Sequence, residues 1–125
     1  MSPLVRTVIA AALLMHGLGM LGGGIWLAVS KGQRPGWGES WLLAPTGSAV
    51  QSVVAVLVWG VSGLAFIAAA YAFWTSAPWF DTAIYVGAPT TLLAVVLWAG
   101  AVPFGTYVGA VFALGMLVAV LLGRL

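Results

Sequence analysis

The chain has 125 residues, of which 63% are apolar and only 5% are charged, and its net charge is +2. Soluble domains carry about 25% charged residues, so this composition excludes a water-exposed globular surface and indicates an integral membrane protein. The small net charge and the lack of a basic cluster argue against a nucleic-acid partner. Because the chain has no cysteine, disulfides, thiolate catalysis and thiolate metal sites are excluded as well.

Four apolar stretches are long enough to cross a bilayer. A span needs about 20 apolar residues, and backbone groups in lipid must find partners within the chain, which favours helices. The predicted spans cover residues 7–29, 49–74, 83–102 and 104–122. Short connections after the second and third spans make neighbouring spans antiparallel. The sequence therefore predicts a single transmembrane domain over residues 1–125, an all-α membrane protein with an up-and-down bundle of four transmembrane helices.

Positive charges at the two ends of the bundle are balanced. The main loop, residues 30–48, contains Lys31 and Arg34, whereas Arg6 and Arg124 lie on the opposite side of the membrane. The positive-inside rule compares these two sides, and the tie leaves the orientation open. We expect a multi-pass protein of a prokaryotic cell membrane.

The aromatic and acidic residues near the span ends suggest how the helices are anchored and capped. Trp59 lies well inside the second span. Four other tryptophans are expected to form an aromatic belt at the membrane interfaces, namely Trp26, Trp74, Trp79 and Trp98. Asp81 is expected to cap the third helix, because a carboxylate can accept hydrogen bonds from the free amides of a first turn.

His16 is the only histidine, and it lies near the middle of the first span. At 1.5 Å per residue it is about 15 Å deep, near the bilayer centre. Ionisable groups at that depth are costly and are candidate functional sites. Helical spacing places His16 on one stripe with Ala12, Gly19 and Gly23, and the two glycines form a GxxxG pair that allows close helix approach. The ring is therefore expected to point into the bundle.

Polar and small residues of the other spans fall at a comparable depth. We expect them to form a polar pocket lined by aromatic side chains at the centre of the bundle. The candidate ligand-binding residues are His16, Trp59, Ser62, Thr90 and Thr91. The candidate helix-packing residues are Gly19, Gly23, Gly63, Gly105 and Gly109.

Three interpretations of His16 stay open at this point. The ring can hydrogen-bond a neighbouring serine, threonine or carbonyl as part of packing, it can bind a ligand or carry protons, or it can ligate a metal or haem. Metal sites need several ligands, and the chain has no second histidine and no cysteine, so no metal site is predicted and haem is disfavoured. No catalytic constellation can be assembled, which favours a protein that is not an enzyme in its own right.

Short motifs along the chain resemble those of DoxX-like membrane proteins. The stretch RTVIAAALLMHG, residues 6–17, is similar to a first helix in which an arginine precedes a His-Gly pair by about three turns. The stretches APWFDTAIYVGAPTTLLAVVLW and AVPFGTYVGAVFAL resemble the third and fourth helices of that family. The resemblance implies a four-helix bundle and an association with membrane redox systems, because DoxD and DoxA relatives form a thiosulfate:quinone oxidoreductase. Arg6 and His16 are the positions that match the motif.

The function expected from these features is that of a small accessory subunit of a quinone-linked redox complex, which holds a lipophilic ligand such as a quinone near His16. One alternative is a non-catalytic structural or assembly protein that packs through its glycine-rich helix faces. Another is a small lipophile-binding or transport protein. The expected partners are the lipid bilayer and either further copies of the chain or a larger membrane complex.

Overall fold

The computed structural model describes residues 1–30 and 38–125, so Lys31 and Arg34 lie outside the described residues. The described residues form four α-helices and no strand, with a short 3₁₀ helix at Ala44–Thr46 before the second helix. The helices are α1 (Pro3–Ser30), α2 (Ser48–Thr75), α3 (Phe80–Leu97) and α4 (Phe104–Leu121). Each is long and apolar enough to cross a membrane. The predicted fold class is confirmed, and the chain is a multi-pass membrane protein.

The helices pack in the order of the sequence. Within the described part of the chain, α1 packs on α2, α2 packs on α3 and α3 packs on α4. The first and last helices do not form a comparable interface, although both contribute side chains to the same apolar core. The bundle is therefore open along the seam between α1 and α4.

The tightest helix crossing lies between α1 and α2. An added Cβ at Gly63 would be 2.5 Å from the backbone nitrogen of Leu21, and one at Gly17 would be 2.7 Å from the backbone nitrogen of Ile67. Such distances are far below van der Waals contact, so both positions require the missing side chain of glycine. The absence of side chains lets the two backbones approach and bury a long common face.

The core consists of two apolar clusters along the bundle axis. One cluster surrounds Leu13 and Phe66, and the other surrounds Met20 and Trp59. In the second cluster the Trp59 and Trp98 rings meet edge to face, with centroids 5.2 Å apart. Trp98 is only 4% exposed, so its predicted place in an aromatic belt is wrong. The other three tryptophans predicted for the belt are exposed, namely Trp26, Trp74 and Trp79.

Helix α3 ends at Leu97 and does not reach the predicted span end at residue 102. The segment before α2 folds over this helix end, where the last carbonyls have no partner within the helix. The Ser40 hydroxyl donates to the Leu97 carbonyl at 2.5 Å, and the Trp41 indole nitrogen donates to the Val96 carbonyl at 2.6 Å. These contacts give the Leu97 carbonyl a partner and add a donor to the Val96 carbonyl, at the point where the chain leaves the helix.

The carboxyl end of α2 and the amino end of α3 are stabilised in different ways. The Arg6 guanidinium donates to the Phe73 carbonyl at 3.0 Å and also to the Ser76 hydroxyl, so it covers the carboxyl end of α2. A cation at this helix end also interacts favourably with the helix dipole. The predicted cap of α3 by Asp81 is wrong, because the cap position is Trp79 and no side chain makes a capping hydrogen bond there.

We predict that Gly63→Ala destabilises the bundle by about 1–3 kcal/mol, because the new methyl group would overlap the Leu21 backbone. Gly60→Ala, on the same helix, is the matched control, since its Cβ would meet nothing within 4 Å. The free energy of unfolding in mixed detergent micelles measures both. Equal stability of the two variants would contradict the close α1–α2 crossing.

Candidate functional site

The open seam between α1 and α4 contains an open-sided cavity of about 630 Å³, here called the α1–α4 groove. Small-molecule sites in proteins typically have volumes of about 300–1,000 Å³. The groove lies beside the middle of α1, at the level of His16. Its main lining residues are Ala12, His16, Gly19, Met20 and Gly23 of α1, Trp59 of α2, and Gly105, Thr106, Gly109 and Phe112 of α4.

The glycines predicted to pack helices together are divided between two roles. Gly63 lies at the α1–α2 crossing, whereas Gly19 and Gly105 line the groove, and an added Cβ at either would meet nothing within 4 Å. Gly23 is buried and also lines the groove. The missing side chains at Gly19 and Gly105 therefore leave space between α1 and α4, where the sequence predicts contact between helices.

The His16 ring is held from two sides by aromatic side chains. The Phe66 ring meets it nearly perpendicularly, with centroids 4.4 Å apart, and the Phe112 ring lies 5.6 Å away. Gly109 provides room for the imidazole, because an added Cβ there would lie 2.9 Å from both Nδ1 and Cε1. The ring orientation is thus fixed by α2 and α4, and the edge that carries Nδ1 faces the α4 wall of the groove.

A chain of hydrogen bonds leads from His16 into the core. The His16 Nε2 atom lies 3.2 Å from the Thr91 hydroxyl oxygen, which is 2.5 Å from the Ser62 hydroxyl oxygen. Ser62 donates in turn to the Gly87 carbonyl at 3.4 Å. Both hydroxyl side chains are completely buried. The structure therefore brings together three of the predicted site residues, one from each of α1, α2 and α3.

The other two predicted site residues lie outside this chain. Thr90 is half-buried, and its hydroxyl donates to the Val86 carbonyl of the same helix, as threonines within helices often do. Trp59 lines the groove from α2 and packs on Trp98. Of the two adjacent threonines, only Thr91 faces the bundle interior.

Two groove residues on α4 were missed by the sequence analysis. Thr106 and Phe112 lie three residues before and after Gly109, so helical spacing places all three on one face. The sequence analysis assigns Gly105 and Gly109 of this face to helix packing and does not include its polar and aromatic members. Thr106 is a further residue of the groove lining that carries a hydrogen-bonding side chain.

The charged residues within the described part of the chain do not line the groove. Glu39 and Asp81 are both exposed and do not line it, and no group of three or more potential metal ligands occurs in residues 1–30 and 38–125. The groove can therefore hold a mainly apolar molecule through its walls and orient it through one imidazole and one hydroxyl group.

Comparison of the chain with family models, with curated proteins and with solved structures finds no match. The resemblance to DoxX-like proteins stays a prediction from short motifs. The geometry of the groove therefore provides the main support for a functional proposal.

We predict that Thr91→Val destabilises the protein by about 0.6–2 kcal/mol, because it removes the hydroxyl that joins His16 to Ser62. Thr90→Val makes the same chemical change at the next residue, where only a bond within the helix is lost. We expect that control to stay within about 0.5 kcal/mol of the parent. Unfolding in mixed micelles distinguishes the two, and an equal loss in both would contradict a structural role for the chain of hydrogen bonds.

Proposed function

We propose that the protein holds a quinone-type lipophile in the α1–α4 groove and acts as an accessory subunit of a quinone-linked membrane redox complex. The observation that carries the proposal is the groove itself, a cavity of ligand size that extends from mid-span to the start of α4 and has the only histidine of the chain on its wall. An ionisable ring at this depth is expected to have a specific partner. The Thr91 contact satisfies one of its nitrogens.

The position of the groove supports entry of a ligand from the bilayer. The groove follows the seam that α1 and α4 leave open, and the exposed side chains of Met15 and Val108 lie along it. These side chains face lipid in a membrane-spanning helix. A lipophile dissolved in the hydrocarbon region can therefore reach the groove laterally, without crossing a layer of water.

The lining of the groove suits a flat ring with oxygen substituents. Met20, Trp59 and Phe112 offer apolar and aromatic surface, against which an aromatic-sized ring packs favourably. His16 and Thr106 offer hydrogen-bonding groups on opposite walls. A few polar groups in an otherwise apolar pocket are typical of sites that bind and orient small molecules.

An accessory role agrees with the small number of reactive side chains. The chain has one histidine, two acidic residues and no cysteine. These residues supply binding and orientation, and the electron carriers would belong to partner subunits. The resemblance to DoxX-like proteins, carried by Arg6 and His16, supports a partner complex of this type and a prokaryotic cell membrane as the location.

We predict that Gly19→Leu weakens binding of decylubiquinone at least about tenfold, because the new side chain would fill the groove. A Cβ added at Gly19 would have no other atom within 4 Å, so the Gly19→Leu variant should fold. Gly22→Leu is the matched control, since Gly22 is exposed on the same helix and does not line the groove. Binding in lipid nanodiscs can be followed by the quenching of tryptophan fluorescence, because Trp59 lines the groove.

Two results would contradict binding in the groove. The first is equal loss of affinity in Gly19→Leu and Gly22→Leu, and the second is the absence of any saturable decylubiquinone binding by the parent protein. The accessory role is tested separately by native mass spectrometry of the gently extracted protein. Recovery of the chain alone, without partner subunits or further copies, would contradict membership of a complex.

A further inference from the structure

The chain of hydrogen bonds from His16 has a defined direction because it ends on a carbonyl. The Gly87 carbonyl can only accept a hydrogen bond, so the Ser62 hydroxyl donates its single proton to that carbonyl. The Ser62 oxygen then accepts from Thr91, and the Thr91 oxygen accepts from the Nε2–H of His16.

The reverse direction is less favourable by a simple count of hydrogen bonds. If Ser62 donated to Thr91, and Thr91 to Nε2, the contact between Ser62 and the Gly87 carbonyl would join two acceptors. Two hydrogen bonds would be made in place of three. An additional hydrogen bond in an apolar interior is stabilising, so the direction that ends on the carbonyl and makes all three hydrogen bonds is favoured.

This direction determines which nitrogen of His16 is free to bind a ligand. In a neutral imidazole one nitrogen carries the proton and the other is an acceptor. With the proton on Nε2, the acceptor is Nδ1, which lies on the edge that faces Gly109 in the groove wall. Within the described residues, no hydrogen bond joins Nδ1 to a donor, and the carboxylates of Glu39 and Asp81 lie outside the groove.

We propose that the α1–α4 groove selects a lipophile that presents a hydroxyl group to His16 Nδ1, and thus the hydroquinone form in preference to the quinone form. This inference rests on the proposed function. A quinol O–H can donate to the lone pair of Nδ1, whereas a quinone carbonyl would place two acceptors against each other. A site with a fixed hydrogen-bonding group discriminates strongly against the analogue that cannot pair with it.

Thr91 and Ser62 are positioning residues in this scheme. Neither lines the groove, and both act on the ligand through the tautomer of His16. If Thr91 is replaced by valine, Nε2 loses its acceptor and the ring is free to carry its proton on Nδ1. The preference for a hydroxyl ligand should then decrease, while the shape of the groove stays the same.

The tautomer can be measured directly because the chain has a single histidine. The protein is labelled with ¹⁵N-histidine, purified without a polyhistidine tag and studied by NMR spectroscopy in nanodiscs without added quinone. We expect a pyrrole-type shift for Nε2 and a pyridine-type shift for Nδ1. The opposite assignment would overturn the inference, whether or not any quinone binds.

Ligand preference is measured with decylubiquinol and decylubiquinone under anaerobic conditions. We expect the parent protein to bind the quinol at least about tenfold more tightly. In Thr91→Val the preference should fall below about threefold, and in Thr91→Ser, which keeps the hydroxyl, it should return to the parent value. Loss of the preference in both variants would indicate a packing effect and contradict the positioning role.

The outcomes separate the two proposals. Equal binding of the two redox forms, or tighter binding of the quinone, would overturn the selection for a hydroxyl group and leave the groove as a quinone site. Failure of both forms to bind would refute the proposed function and the redox preference together. The nitrogen shifts would then still decide which nitrogen of His16 carries the proton.

Discussion

The hydrogen bond between His16 and Thr91 is the constraint on which the rest of the structure depends. In lipid, a polar side chain cannot bond to water and must find its partner within the protein, on its own helix or on another. Thr91 is itself satisfied by Ser62, so the contact ties together the rotations of α1, α2 and α3. A rotation of any of these helices by one residue, about 100°, would leave a buried polar group without a partner. The close crossing at Gly17 and Gly63 already restricts the rotation of α1 against α2, and the polar layer also restricts the rotation of α3.

The groove follows from the same arrangement. Because the imidazole points across the bundle toward α3, its other edge faces α4, and that helix must provide room for it at Gly109. The small residues on the facing sides of α1 and α4 then leave an unfilled space at mid-span. Without a continuous interface along this seam, α4 depends mainly on α3 for its position. The hydrogen bond that satisfies His16 and the position of its ring on the groove wall are therefore two results of the same packing. The structural and the ligand-binding interpretations of His16 do not exclude each other.

Composition and span length were sufficient to predict the four helices. Because the spans contain few polar groups at mid-depth, the sequence also predicted that His16, Ser62 and Thr91 lie at a similar level. The rotation of each helix about its own axis could not be predicted to within one residue position. The stripe chosen on α1 contains Gly19 and Gly23, whereas the face packed on α2 is offset by one position and contains Gly17. Periodicity alone cannot distinguish these faces, because both consist of small and apolar residues. The choice between Thr90 and Thr91 depends on the same rotation, and the early end of α3 depends on contacts from a distant loop.

The open seam also has a consequence for biogenesis. All three side chains of the polar layer belong to α1, α2 and α3, which leave the ribosome before α4. Proteins synthesised from the amino terminus can form the contacts of their first elements early, so the imidazole can be satisfied as soon as the third helix enters the bilayer. The fourth helix then closes one wall of a space around a ring that is already fixed. In the order of synthesis, the costly polar group is therefore paired first and the α1–α4 groove is completed last.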